Sequence, residues 1–426
     1  MGRVKLLFSL CTGRLAAPNV TAMERAEIFD SRYSWLRLAL SLLVAVICSG
    51  GIWVMVLVMP FVQGEFGVGR GDVSLAYTLM MVGFALGNLG LGRLVDGIGA
   101  ARALVLAGLI SGVGLGLTAV AGSVAVVAGL QLLVGFGAAA GFGPLMADVS
   151  QWFFKRRGIA VAITASGNYL SGAIWPLLLS GVLEVQGWRA VYIVLAVIVV
   201  AGMIPLTWLL RRQVPVLARA EANAVSGSRS RATGISPRAL VLLLGMAGVA
   251  CCVAMSMPQV HIVALSADLG FGPVTGGRLL SVMLMAGVAS RLIFGFVADW
   301  LGGVRTVLLS SALQCLALFL YLPAGGVVSL YLVSAIFGLA QGGIVPSYAV
   351  VVREYLPAEE AGRRVGFVLM MTVLGMALGG WLAGLIYDLT GSYDWAFLNG
   401  IAWNFVNIAI MAGLLMRTRR AMPQPA

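Results

Sequence analysis

The sequence predicts an all-α membrane protein with twelve transmembrane helices in two six-helix bundles. Composition, recurring apolar stretches and an internal repeat predict it. Of 426 residues, 60% are hydrophobic and 10% charged, with a mean hydropathy of +1.00. A soluble domain carries roughly 25% charged residues. Apolar stretches of about 20 residues, enough for a helix to cross a bilayer with its backbone bonded internally, recur along the whole chain. The partner of such a surface is a lipid bilayer. The 56 glycines suit the close approach of membrane helices.

Residues 1–36 form a polar tail whose apolar patch, LLFSLC, is too short for a signal-peptide core. Met23 opens MERAEIFDSRYSW and reads as a natural start, which would make residues 1–22 an extension. The first bundle covers 37–210, with spans at 37–60, 74–92, 103–121, 124–147, 158–182 and 190–210. Residues 211–238 are rich in Arg, Ser and Ala and read as a linker. The second bundle covers 239–416, with spans at 239–265, 276–297, 304–322, 327–351, 365–386 and 395–416, followed by a tail at 417–426.

Of the 28 Lys and Arg residues, 24 fall on the face shared by the termini and the linker. Arg70, Arg189 and Arg278 fall on the opposite face, and Arg291 falls inside a span. This positive-inside bias places both termini and the linker in the cytoplasm, and a cell inner (plasma) membrane is the expected location. The net charge of +12 is spread over short loops with no basic stripe, which argues against a nucleic-acid partner. The five cysteines show no disulfide or metal spacing. The spans hold no paired carboxylates, no His/Cys cluster and no nucleotide-binding glycine loop, so neither an enzyme nor a metal or cofactor is expected.

Gly92, Asp96, Gly99 and Arg102 recur as Gly295, Asp299, Gly302 and Arg305, each 203 positions later. GWRAVYIVLA from Gly187 is echoed by DWAFLNGIA from Asp394. Glycines there permit a tight turn, and the Asp suits its own Arg or orphan N–H groups at a helix start. The parallel repeat and this loop motif resemble the major facilitator superfamily, whose signature lies in the 2–3 loop. The resemblance implies that fold, alternating access, and a gating role for Gly92, Asp96, Arg102, Gly295, Asp299 and Arg305. The plainer reading is a loop that only sets topology.

FFKRRGIAVAITASG (Phe153 to Gly167) resembles the monocarboxylate transporter signature YFxKRRxLAxGxAxxG, with Ala162 where that family prefers Gly. DSRYSW (Asp30 to Trp35) resembles its DGGWGW, keeping Asp30 and Trp35, and PQVHIVALSADLG (Pro258 to Gly270) its Pro-x-Val-His stretch. Arg291 stands where these transporters carry an arginine in span 8. Two positions depart from the family: Gly287 stands where an acid is common, and Met55 stands near the place of a span-1 lysine.

Arg291 lies eight residues before Asp299, or ~12 Å along a helix, which puts it near mid-bilayer. No Asp or Glu falls in any predicted span. A guanidinium fork without a protein carboxylate suits a bidentate substrate carboxylate; the alternative is a structural arginine on backbone carbonyls. His261, the only histidine, is a candidate substrate-binding residue that suits proton coupling or a gate, and equally an interhelical hydrogen bond. Asn168, Tyr169 and Gln341 lie at mid-span depth as candidate substrate contacts, or as interhelical hydrogen-bond partners.

The expectation is a monomeric secondary transporter for a small organic anion, a monocarboxylate, with protons as candidate co-substrate. The alternatives are efflux of amphiphilic compounds and a non-transporting membrane receptor or scaffold.

Overall fold

The computed structural model describes residues 29–153, 156–212, 236–355 and 358–420. The Met23 start, residues 213–235 of the linker and the last six residues lie outside the described residues. Fourteen helices are used below. The first half holds α1 (Arg32–Cys48), α2 (Gly50–Phe66), α3 (Arg70–Ile98), α4 (Ala100–Thr118), α5 (Val124–Ala138), α6 (Gly143–Ser150) and α7 (Arg157–Leu209). The second holds α8 (Pro237–Asp268), α9 (Pro273–Leu301), α10 (Gly303–Tyr321), α11 (Val327–Gln341), α12 (Ile344–Tyr355), α13 (Ala358–Thr390) and α14 (Tyr393–Arg420).

Among the described residues, eleven helical stretches are long and apolar enough to cross a membrane. The longest, Ile159–Leu209, has 51 residues, far beyond the roughly 20 one crossing needs. It turns back at Gly187, where φ is 79° and ψ is 175°, and so supplies spans 5 and 6. The total is twelve. Helices α1–α2, α5–α6 and α11–α12 pair end to end as single spans. Several helices overrun their predicted edges: the first span runs from Arg32 to Phe66 rather than 37–60. A helix leaving the hydrocarbon still needs its backbone bonds, so apolarity ends before helicity does.

The repeat seen in the sequence is a repeat in space. Gly99 and Gly302 turn α3 into α4 and α9 into α10, at φ of 87° and 79°, values that favour glycine. Helix α5 packs on α3 where Gly135 meets the Met80 carbonyl, and α11 packs on α9 where Gly338 meets the Met283 carbonyl. Both pairs lie 203 positions apart. A β-carbon at either glycine would overlap the carbonyl oxygen.

The halves join chiefly through α3 against α13 and α7 against α9. Thr78 Oγ1 donates to the Ala377 carbonyl at 3.0 Å across the first joint. One apolar core runs through both halves, from Trp53, Leu57 and Met80 to Leu280, Met283 and Leu284. Large apolar side chains such as Phe296 and Leu332 stand exposed on the outer flanks, the surface that lipid covers.

Candidate functional site

Helices α7 and α9 cross close to Gly172, whose β-carbon position is pressed between Leu284 and Trp53. The crossing brings Arg291 of the second half against Ala165 and Tyr169 of the first. Arg291 is 7% exposed. Its Nη1 donates to the Ala165 carbonyl, and its Cζ lies 3.7 Å from the Tyr169 ring centroid. Its Nε is buried and has no hydrogen-bond partner among the described residues.

Tyr169 is held on three sides. Trp53 meets it edge-on at 6.4 Å and donates from Nε1 to the Asn168 carbonyl at 2.8 Å. Its hydroxyl reaches Met255 Sδ at 3.9 Å. Gly287, one turn before Arg291, leaves room for the ring: a β-carbon there would lie 2.7 Å from Tyr169 Cδ2 and Cε2. The glycine that departs from the family pattern is therefore the seat of an aromatic ring. A desolvated cation–π contact contributes about 2 kcal/mol, and a hydrogen bond to a charged group about 1.5–3 kcal/mol. Together they offset an arginine's insertion cost of at least ~2.5–3.5 kcal/mol without neutralising its charge.

The other predicted contacts fall around this pair or away from it. Asn168 is half-buried, and its side-chain amide has no partner among the described residues. Gln341, at the end of α11, accepts from Gln259 Nε2 at 2.8 Å. Gln341 Nε2 and Gln259 Oε1 are buried without further partners among the described residues. Met55 is buried, and its sulfur accepts from the Tyr192 hydroxyl at 3.3 Å.

His261 lies apart from Arg291, in a cluster at the face opposite the termini. Its Nε2 lies 2.8 Å from the Gly380 carbonyl oxygen, which can only accept, so that nitrogen carries the proton. Nδ1 then accepts from the Tyr393 hydroxyl at 3.0 Å. Tyr393 in turn accepts from Arg70 Nη1 at 2.9 Å. Arg70 also forks onto Asp268, with Nη2 to Oδ1 at 2.5 Å. Among the described residues this is the one ion pair that joins the halves. In the sequence Arg70 is one of three basic residues on the face opposite the termini. Its role carries a faint one-dimensional signal, an arginine between glycines facing loops that bear Asp268 and Asp388.

The family model described as Major Facilitator Superfamily matches residues 41–329 and 242–426. The chain belongs to that superfamily. It is 25% identical over 382 residues to monocarboxylate transporter 13 of Bos taurus, covering 88% of this chain and 87% of that one. It is 29% identical over 283 residues to monocarboxylate transporter 11 of Homo sapiens, covering 63% and 59%. A bacterial homolog of the human lysosomal transporter Spinster, solved in an inward-facing and occupied conformation, superposes with a TM-score of 0.68 at 15% identity, covering 92% of this chain and 99% of that one. The chain is thus a multi-pass superfamily transporter resembling the monocarboxylate transporters, and its family and fold are not those of an enzyme.

The stretch resembling the span-5 signature and the DSRYSW stretch meet at the face that carries the termini. Trp35 packs edge-on against Phe153 at 5.2 Å, and the Arg156 backbone N–H donates to Asp30 Oδ1 at 3.2 Å. Beside them Arg37, 2% exposed, forks onto Asp148 at 2.8 Å and 2.8 Å and donates to the Arg212 carbonyl at 2.9 Å. Both charges fall at the edges of predicted spans. Their pairing draws them into the protein and ties the start of the linker to the first half.

Of the predicted gating residues, Arg102, Gly295 and Arg305 are exposed. Positions 96 and 299 lie within the last turns of α3 and α9 rather than in loops. Gly92 and the side chains of Asp96 and Asp299 lie outside what is described. The first N–H of α10, on Gly303, donates to both Glu354 carboxylate oxygens at 3.1 Å. This carboxylate supplies one negative partner for that helix start.

Proposed function

We propose that this chain carries a small organic anion, a monocarboxylate, by alternating access, with Arg291 as the anion clamp. One observation carries the reading: a buried guanidinium at the joint of the halves, stacked on an aromatic ring, with Nε unpartnered and no carboxylate bonded to it among the described residues. A carboxylate accepting from Nε and the neighbouring nitrogen would complete the fork. Relatives named monocarboxylate transporters support the cargo class. Arg291 belongs to one half and grips the other, so an anion bound to it changes the contact that relates them. That is differential binding between two arrangements, which a transport cycle needs.

Asn168 and Gln341 line up as neighbours of the cargo, and His261 is assigned to coupling rather than to cargo contact. The positive-inside bias orients the termini to the cytoplasm of a cell inner membrane. The face closed by Arg70 and Asp268 is then the outer one. Gly92, Asp96, Arg102, Gly295, Asp299 and Arg305 are assigned to the inner gate on the strength of their repeat.

Uptake of labelled lactate and pyruvate into proteoliposomes tests the reading. Arg291→Ala is expected to abolish saturable carboxylate uptake, and wild-type uptake in that variant overturns the clamp. His261→Gln is expected to lose stimulation by a pH gradient while keeping counterflow exchange. Uptake of amphiphilic cations but of no carboxylate would instead favour efflux.

A further inference from the structure

The far-face cluster is built like a carboxylate receptor. Arg70 is 7% exposed, and its guanidinium lies over the Tyr387 ring of the opposite half, 4.0 Å from Cζ to centroid. Gln63 accepts from its Nε at 3.2 Å. The fork faces the second half and receives the Asp268 carboxylate. A second carboxylate, that of Asp388, accepts from the backbone N–H groups of Arg70 and Gly71 at 2.8 Å and 2.6 Å. The start of α3 therefore binds two carboxylates side by side, one by guanidinium and one by backbone, and both come from the opposite half.

The internal repeat shows why these carboxylates cross over. Asp268 stands 203 positions after Glu65, and both end the first span of their half. Glu65 is satisfied at home: Trp188 Nε1 donates to it at 2.7 Å and Arg189 at 2.5 Å. In the repeat Arg189 corresponds to Ala396, 207 positions later, which supplies no cation, and Asp268 reaches across to Arg70. Among the described residues Arg70 has no carboxylate partner in its own half, where only Gln63 bonds its side chain. Parting the halves at this face carries Asp268, Tyr387 and Tyr393 away together and leaves the Arg70 guanidinium bonded to Gln63 of its own half, without an anion.

We propose that Arg70 and the first turn of α3 form a second carboxylate site. The protein's own Asp268 and Asp388 occupy it when the far face is closed, and the cargo's carboxylate takes it when that face is open. The proposal rests on the reading of the cargo as a carboxylate. It makes outer anion binding and closure mutually exclusive, so the far face shuts only after the cargo has moved on toward Arg291. Tyr77, seven residues or ~10 Å further along α3, has a buried hydroxyl with no partner among the described residues and marks the route.

The test places spin labels at Gly64→Cys and Leu269→Cys, exposed far-face positions of the two halves. Pulsed electron paramagnetic resonance then reads their separation in full-length protein in nanodiscs. Sodium acetate is titrated against sodium chloride at matched ionic strength. Acetate is expected to raise the long-distance population in the wild-type background and equally in Arg291→Gln, which lacks the central clamp. Asp268→Asn is expected to respond at about tenfold lower acetate, and Arg70→Gln to show long distances from the start with no response. Should Asp268→Asn fail to fold, Arg70→Lys serves: it keeps the charge, loses the fork and is expected to need more acetate than wild type. A response in wild type that vanishes in Arg291→Gln overturns the second site and leaves the anion clamp standing. An undiminished response in Arg70→Gln overturns the second site as well. No response to acetate in either background, together with no carboxylate uptake, overturns both.

Discussion

The two halves share a scaffold and differ in where they keep charge. Gly135 on Met80 and Gly338 on Met283 make the same helix contact, and Gly99 and Gly302 make the same turn. Even a buried polar bridge recurs at the same offset. Gln131 donates to Thr118 at 3.2 Å in the first half, and the Tyr321 and Ser334 hydroxyls lie 3.0 Å apart in the second. Against this background two pairs of equivalent positions diverge. Asn88 accepts from the Gly143 N–H at 3.1 Å within its own half, whereas Arg291 reaches the other half. Glu65 is paired at home, whereas Asp268 is paired across. Matched positions hold each bundle together; unmatched positions supply contacts between bundles, and those are the contacts a transport cycle must break and remake.

Arg291 and Asn88 separate the two halves most sharply. Truncating one partner of a buried charged contact costs about 2–5 kcal/mol. Arg291→Ala is therefore expected to lower carboxylate uptake at least ~30-fold, the equivalent of ~2 kcal/mol, while Asn88→Ala, measured in parallel, changes it only a few-fold. The scaffold predicts the opposite pattern. Gly135→Ala and Gly338→Ala each force a methyl group onto a carbonyl and should destabilise by about 1–3 kcal/mol or more. Thermal denaturation in detergent should show similar losses for both, and a loss at one site alone would show that the repeat is not mechanically equivalent.

A smaller effect is expected at Gly287→Ala. Displacing the Tyr169 ring removes part of the cation–π contact, about 1 kcal/mol, and should weaken carboxylate affinity without lowering expression. Glu65→Gln is milder still. Its partner Arg189 is more than a third exposed, and exposed pairs contribute about 0–1 kcal/mol, so transport rates should stay at wild type. The smallest effects belong to the polar bridges. Thr118→Val and Ser334→Ala should each shift stability by about 0.6 kcal/mol, the scale of interhelical hydrogen bonds in membranes.

Much of the site is legible in one dimension because bilayers punish charge. Arg291 stands out in its apolar stretch, and the loop motif stands out because its polar residues recur at a constant offset. Arg291's neighbours do not. The Ala165 carbonyl it grips lies 126 residues away, and a carbonyl on an apolar helix leaves no trace in composition. Gly287 reads as a missing acid until the Tyr169 ring is seen to fill its place. Arg70 reads as one topological charge because its partner Asp268 lies 198 residues on, in the other half.

The class of structure and its duplication are written along the chain. Apolar length, loop charge and a repeated glycine–aspartate–glycine–arginine pattern are local quantities, and the bilayer converts them directly into helices and turns. Only the tertiary structure decided which buried charges face which partners. Those pairings form where two bundles meet, and nothing along either bundle's own chain specifies the surface the other will present.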